Sequence, residues 1–203
     1  MADIDWSFIA QKGIEGESEH LTGYVPRKGS GFTVGSVDVG MHSGEKYGDL
    51  WTMLQSYANK QSPSGVGSIN LPLYEKLNPY SLRKDVSDEE ARKIEFHEDE
   101  IEYITQAKRH QYERKLGKME GWDKIHPKAK TILTSVGWQY GLDSDHFKDL
   151  YELRGDRNKM AEKLLKFGES EYEDRRKLEA KHVKPSEESS YMEQWNIEDN
   201  TFA

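Results

Sequence analysis

The sequence predicts an α+β fold whose strands are confined to the first quarter of the chain, on three observations. Gly16, Gly23, Gly29, Gly31, Gly35 and Gly40 crowd a stretch in which no helix can persist. Two short runs rich in β-branched and aromatic residues, Tyr24-Val25 and Phe32-Thr33-Val34, lie inside that stretch. From residue 47 onward the apolar residues recur at helical spacing. A helix, a small β-rich part and six or so further helices, in that order, predict a small N-terminal β-hairpin lobe and a larger helical lobe with a cleft between them.

Each element has its own signal. Residues 5–15 predict a first short helix, which the glycines then end. Pro26-Arg27-Lys28-Gly29-Ser30-Gly31 separates the two β runs and predicts a hairpin loop longer than two residues. From Tyr47 to Asn59, Leu50, Met53, Leu54 and Tyr57 have helical spacing, and residues 60–68 read as an irregular connection where a lobe boundary can fall. Ser87-Asp88-Glu89-Glu90 is a capping-box pattern. With Ala91, Ile94, Ile101, Ile104 and Tyr112 behind it, it predicts one charged helix running to Gly117.

Pro127 suits the first position of another helix, with Ala129, Ile132, Leu133, Val136 and Tyr140 as its apolar face and Gly141 as its stop. Gly137 within it costs roughly 1 kcal/mol relative to Ala, which predicts the close approach of another backbone or of a ligand. Three shorter helices follow near 145–153, 157–167 and 170–182. Ser144, Asp156 and Ser170 are their N-caps, and Phe147, Leu150, Met160, Leu164, Leu165 and Phe167 face inward. The expected domain is 1–185, with its β-rich part at 16–45 and its helical lobe at 70–185, followed by an acidic tail at 186–203.

Composition bounds the function. Leu, Ile, Val and Phe supply only 39 of 203 residues, so aromatic side chains, five Trp and eleven Tyr among them, must provide much of the core. No window of 18 apolar residues exists, and Met-Ala-Asp-Ile-Asp-Trp is not a basic region ahead of an apolar stretch. Neither a membrane span nor a secretory signal is predicted, and synthesis in soluble form in the cytoplasm is expected. The absence of Cys removes disulfides, thiolate nucleophiles and Cys-based zinc sites. The net charge is −8, and Glu187, Glu188, Glu193, Glu198 and Asp199 of the tail carry most of it. A near-neutral body without a basic stripe is a poor partner for nucleic acid.

Carboxylate chemistry is the strongest candidate. Glycoside hydrolysis needs a protonated carboxylic acid beside the leaving oxygen and a second carboxylate for water or for the anomeric carbon. Glu15 sits where the first helix gives way to Gly16, a junction able to keep a carboxyl partly buried and protonated. Asp38 lies at the far end of the hairpin, and Thr33 carries a hydroxyl that can hold a water between them. Glu17 and Glu19 are substitutes for the second carboxylate. Trp138 and Gln139, at the end of a buried helix, can stack on and hydrogen-bond an acetamido sugar, while Trp138 serves equally well as core. Arg175 and Arg176 read as ion-pairing residues of a structural kind. A metal reading groups His20, Asp38 and His42 as zinc ligands, although His-Glu-x-x-His is absent.

The order of these pieces resembles the phage-type (T4-like) lysozyme superfamily, and within it the pesticin-like branch. Glu15-Gly16, Gly23-Tyr24-Val25-Pro26, Ser30-Gly31-Phe32-Thr33-Val34-Gly35 and Asp38-Val39-Gly40 match that branch's order of motifs. Leu133 to Gly141 looks like its core helix, and Arg175-Arg176-Lys177-Leu178-Glu179-Ala180 like the Arg-Arg-x-x-Glu-Ala of its final helix. The resemblance implies a lysozyme-like fold and a muramidase that cuts the β-1,4 bond between N-acetylmuramic acid and N-acetylglucosamine, with inversion and without a cofactor. Glu15 would be the general acid, Thr33 and Asp38 would position or activate the water, and Tyr24, Trp138 and Gln139 would contact substrate. Two departures stand out: Tyr24 occupies the place where the T4-like motif has its Asp, and Thr33 and Asp38 are one residue closer than the branch's pattern.

Bacterial peptidoglycan is the implied partner, with an immunity or inhibitor protein as a second. The resemblance also implies delivery to the cell wall by a holin, a phage particle, a secretion apparatus or a translocating domain. Two rival functions stay open on sequence: a lysozyme-like wall-binding or structural part without catalysis, and a zinc-dependent amidase or peptidase. The tail, with Tyr191, Trp195 and Phe202, reads as a disordered end or as a segment that binds a partner.

Overall fold

The computed structural model describes residues 4–11, 21–26, 31–39, 49–81, 83, 85–167 and 173–185. These residues are mostly helical, with one small antiparallel sheet of two strands, compatible with an α+β fold. The helices are α1 (Trp6–Gln11), α2 (Asp49–Gln61), α3 (Leu71–Ser81), α4 (Asp88–Ala91), α5 (Glu98–Leu116), α6 (Pro127–Tyr140), α7 (Asp145–Glu152), α8 (Arg157–Leu165) and α9 (Glu173–Val183). The strands are β1 (Thr33–Val34) and β2 (Val37–Asp38). None of these helices is long and apolar enough to cross a membrane.

The chain divides into two compact units, one of residues 1–12 with 120–203 and one of residues 13–119. The division therefore falls at 12/13 and 119/120, and not in the 60–68 connection. Residues 70–119, expected within a helical lobe, belong to the unit that holds the hairpin, because α5 packs along α2 and against β2.

In the 13–119 unit, Val34, Val37, Leu54, Leu73, Leu77, Ile104 and Leu116 form a fully enclosed apolar centre. Phe32 stacks on Tyr80 with ring centroids 4.6 Å apart and lies near Phe96 at 6.3 Å, so aromatic area fills space that a lean aliphatic content leaves. Asp88 to Leu116 is not the single helix that the capping box predicts. Ser87 does cap α4 through the Glu90 N–H at 3.1 Å, but the helix stops at Ala91. The Gly23 N–H donates to Ile94 C=O at 2.9 Å and the Phe96 N–H to Leu21 C=O at 2.6 Å. These backbone groups pair with a distant segment and leave the helical ladder. α5 restarts after His97, whose N–H donates to the Glu100 carboxylate at 2.9 Å; acidic residues open the helix and Arg114 and Lys115 close it, in accord with its dipole.

Gly23 is required here by space. A Cβ at this position would lie 2.4 Å from two atoms of the buried Phe32 ring and 3.0 Å from the Ala91 carbonyl oxygen. Gly23→Ala is therefore expected to lower unfolding stability by about 2 kcal/mol, since neither a packed ring nor a backbone can yield cheaply. Chemical denaturation measures this, and a variant within about 0.5 kcal/mol of the parent would contradict it.

In the other unit, α6 begins at Pro127 and ends at Gly141, whose φ of +89° suits glycine alone, as the sequence predicts. Ser144 and Asp156 cap α7 and α8, while Ser170 lies outside the described residues. At Gly137 the nearest neighbours are side chains rather than a backbone: the missing Cβ makes room for Leu142, at 2.5 Å, and Phe147, at 3.2 Å. The first helix packs here. The Asp5 N–H donates to Thr131 Oγ1 of α6 at 2.9 Å, Ile9 is buried, and Phe8 stacks on His182 of α9 with centroids 4.0 Å apart.

Burial, helped by Lys128 and opposed by Asp5, lowers the His182 pKa below its ordinary 6.5. The unfolded chain then binds the proton more readily, so this unit loses stability as pH falls through 6.5 and below. Melting curves between pH 7.5 and 5 should show that loss, and His182→Gln should flatten it; an unchanged slope in the variant would count against His182 as the source.

Candidate functional site

The hairpin places three of the sequence-predicted residues in one row. β1 and β2 pair antiparallel with Thr33 opposite Asp38 and Val34 opposite Val37, and Tyr24 forms an antiparallel bridge to Thr33 on the other side. The bridge pairs the two β runs that flank residues 26–31, as the sequence predicts, and a second, tight turn at Gly35-Ser36 joins β1 to β2. Gly35 has φ +56° at the first central position, the place where a type II′ turn takes glycine, and a Cβ there would also press on Ile101 at 2.8 Å.

Thr33 directs both of its backbone groups to Tyr24, with N–H to C=O at 2.8 Å one way and 3.0 Å the other. The Val39 N–H reaches Phe32 C=O at 2.9 Å, so Thr33 and Asp38 form the non-hydrogen-bonded pair, in which facing side chains come closest. The gap of five between them is thus what a two-residue turn needs to make them direct neighbours.

The three side chains have different surroundings. Thr33 is buried, and its hydroxyl donates to the Gly31 carbonyl at 3.2 Å, leaving the hydroxyl oxygen as an acceptor. Asp38 is half-buried at the end of β2. Tyr24 is buried, and its hydroxyl donates to the Gly35 carbonyl at 2.6 Å, so the ring ties the turn to the first β run. Glu15, together with Glu17, Glu19, His20 and His42, lies outside the described residues. Among the described residues no group of three His, Asp or Glu is gathered for a metal ion.

Trp138 and Gln139 belong to the other unit, at the end of α6. Trp138 is half-buried and meets Trp6 of α1 edge to face, with centroids 5.7 Å apart. The Gln139 amide oxygen accepts from the Arg176 guanidinium, and its amide nitrogen is enclosed with no hydrogen-bond partner among the described residues. Arg176 is 1% exposed and donates also to Glu179, which is 0% exposed. Glu179 further accepts from the Ser135 hydroxyl at 2.5 Å and from Arg175 Nε at 3.2 Å, while Arg175 Nη2 reaches Ser135 at 2.9 Å. The rings of Tyr140 and Phe167 flank the Arg176 guanidinium at 5.4 and 5.8 Å. This network joins α9 to α6. Arg175 and Arg176 were legible as structural residues that pair with neighbouring helices, but Glu179 and Ser135 as the network's centre were not.

No known family's sequence model matches the chain, and no curated protein matches it.

Proposed function

We propose that this chain is a muramidase of lysozyme-like fold, which hydrolyses the β-1,4 bond between N-acetylmuramic acid and N-acetylglucosamine in bacterial peptidoglycan. The observation that carries the reading is the Thr33–Asp38 pair: a hydroxyl acceptor and a carboxylate on facing positions of a rigid two-residue hairpin. Such a pair can hold one water by two hydrogen bonds, Thr33 Oγ1 orienting it and the Asp38 carboxylate taking its proton as its oxygen attacks the anomeric carbon. Glu15, the acid that the motif order supplies, gives its proton to the departing glycosidic oxygen. Atoms and charges balance: the bond to the leaving sugar breaks, the bond to water oxygen forms, and the proton lost by Glu15 matches the one gained by Asp38. Neither step calls for a cofactor.

The test is mass spectrometry of the soluble products from purified peptidoglycan, with EDTA in a parallel reaction. Disaccharide muropeptides with a reducing N-acetylmuramic acid end, unaffected by EDTA, are expected. Free stem peptides that vanish with EDTA would move the chemistry to a metal site, and an intact sacculus with bound protein would leave a wall-binding role in its place.

A further inference from the structure

The 13–119 unit carries a second feature that the hairpin does not explain. An open groove of about 710 Å³ runs along α2 and the end of α5, lined by Trp51, Gln55, Asn59, Lys60, His110 and Arg114. From Trp51 to Lys60 it follows nine residues of helix, about 13 Å, room for more than one sugar ring. Trp51 is 42% exposed, and its indole is held edge-on to Tyr74 with centroids 4.9 Å apart.

The middle of the groove is preorganised. Gln55 Nε2 donates to Gly67 C=O at 2.7 Å and to Asn59 Oδ1 at 2.9 Å, and the Gly67 N–H donates to Asn59 Oδ1 at 3.0 Å. These bonds fix both amides, since only one orientation of each satisfies a backbone donor and a backbone acceptor. They leave Gln55 Oε1 and Asn59 Nδ2 without a protein partner among the described residues. The loop that locks them can lie so close only because residue 67 is glycine: a Cβ there would stand 2.1 Å from the Ala58 carbonyl oxygen.

The far end is cationic. Arg114 donates to the Ser56 hydroxyl, Lys60 stands 3.7 Å from Glu113, and the remaining guanidinium and ammonium donors face solvent. Burial and then Lys60 push the His110 pKa down, Glu113 pulls it back and Arg114 lowers it further, which marks a net positive field around that ring.

We propose that this groove binds an acidic saccharide: a hexose ring lies on Trp51, its polar substituents reach Gln55 Oε1 and Asn59 Nδ2, and its carboxylate is held by Arg114 and Lys60. An aromatic platform, a fixed acceptor and donor, and a pair of cations are the elements that such a ligand requires. The site stands apart from the muramidase reading and does not depend on it.

The full-length chain, labelled with ¹⁵N, tests this with three probes: digalacturonic acid, the disaccharide of N-acetylglucosamine and N-acetylmuramic acid, and neutral chitobiose. One or both acidic sugars should shift the Trp51 indole and the Gln55 and Asn59 side-chain amide signals, with chitobiose weaker by roughly tenfold. Which acid binds more tightly identifies the source, a uronic polymer or the peptidoglycan glycan. Arg114→Gln, at an exposed position, should erase the preference for acid, and Trp51→Ala should weaken all binding about tenfold. Should Trp51→Ala fold poorly, Arg114→Gln and the salt dependence of the acidic sugars decide alone. Equal affinity for chitobiose, an unaltered preference in Arg114→Gln, shifts confined to residues 24–38, or no shift up to about 10 mM would each overturn the proposal.

Discussion

If the chain is the muramidase proposed above, Glu15→Gln is expected to lower the initial rate of peptidoglycan solubilisation by roughly 10²–10⁴-fold, the span that a positioned proton donor contributes. The amide keeps the size of the acid and loses the proton that the leaving sugar oxygen needs. On that proposal the parent's rate is expected to fall towards alkaline pH, because the acid's proton must be present, and in Glu15→Gln that fall should disappear. Asp38→Asn should abolish turnover to a similar degree, since an amide cannot accept the water's proton. Thr33→Ser keeps a hydroxyl in the buried position and should retain activity, whereas Thr33→Val keeps the volume and should lose it. Initial rates across pH 4–9, beside thermal melts as a fold control, check all four variants. A Glu15→Gln protein with parental turnover would end the assignment of the acid.

Glu179→Gln should destabilise its unit by about 3 kcal/mol, among the largest effects of any single isosteric change here. Glu179 is 0% exposed and takes bonds from Arg175, Arg176 and Ser135, and Arg176 itself is 1% exposed. Losing the carboxylate takes from the enclosed Arg176 guanidinium the counter-charge that Glu179 supplies, and breaking one side of a buried pair costs far more than replacing both. The double variant Arg176→Met with Glu179→Leu should therefore unfold less readily than Glu179→Gln alone, because well-packed apolar side chains can replace a buried pair at little cost. Differential scanning calorimetry reads both; a melting temperature lowered by on the order of 10 °C is expected for the single change. If Glu179→Gln melted within a degree or two of the parent, the network would be ornamental to stability.

Elements whose boundaries are written in local chemistry were readable in advance. α6 starts at a proline and ends at a glycine, and the caps Ser144 and Asp156 sit where short polar side chains reach the next turn's N–H groups. The break between α4 and α5 was not readable, because it is made by residues 21–23, some seventy positions away, and hydrophobic periodicity carries no trace of such a partner. The pairing of the Tyr24 run with the Thr33 run was readable, whereas the second, tighter turn was not: Pro26 and the glycines to Gly31 are the louder signal, while Gly35 reveals itself only through its positive φ. α3 was missed altogether, since Pro79 in its last turns argues against a helix. At the site, the Thr33–Asp38 pairing follows from turn length, which composition cannot supply. Burial of Glu179 depends on the small Ser135 of another helix, and sequence spacing is silent about that.

A unit whose helix α1 is separated from its other helices by the 107 residues 13–119 has a consequence for synthesis. α1 is made before residues 13–119, yet its neighbours Thr131 and His182 are encoded more than a hundred residues later. At roughly 5–20 residues per second, the ribosome leaves α1 waiting for many seconds with Ile9 uncovered, while residues 13–119 emerge and can fold as an insert. A nascent chain arrested before α6 has left the tunnel should therefore expose residues 4–11 to protease, and one released after α9 should not.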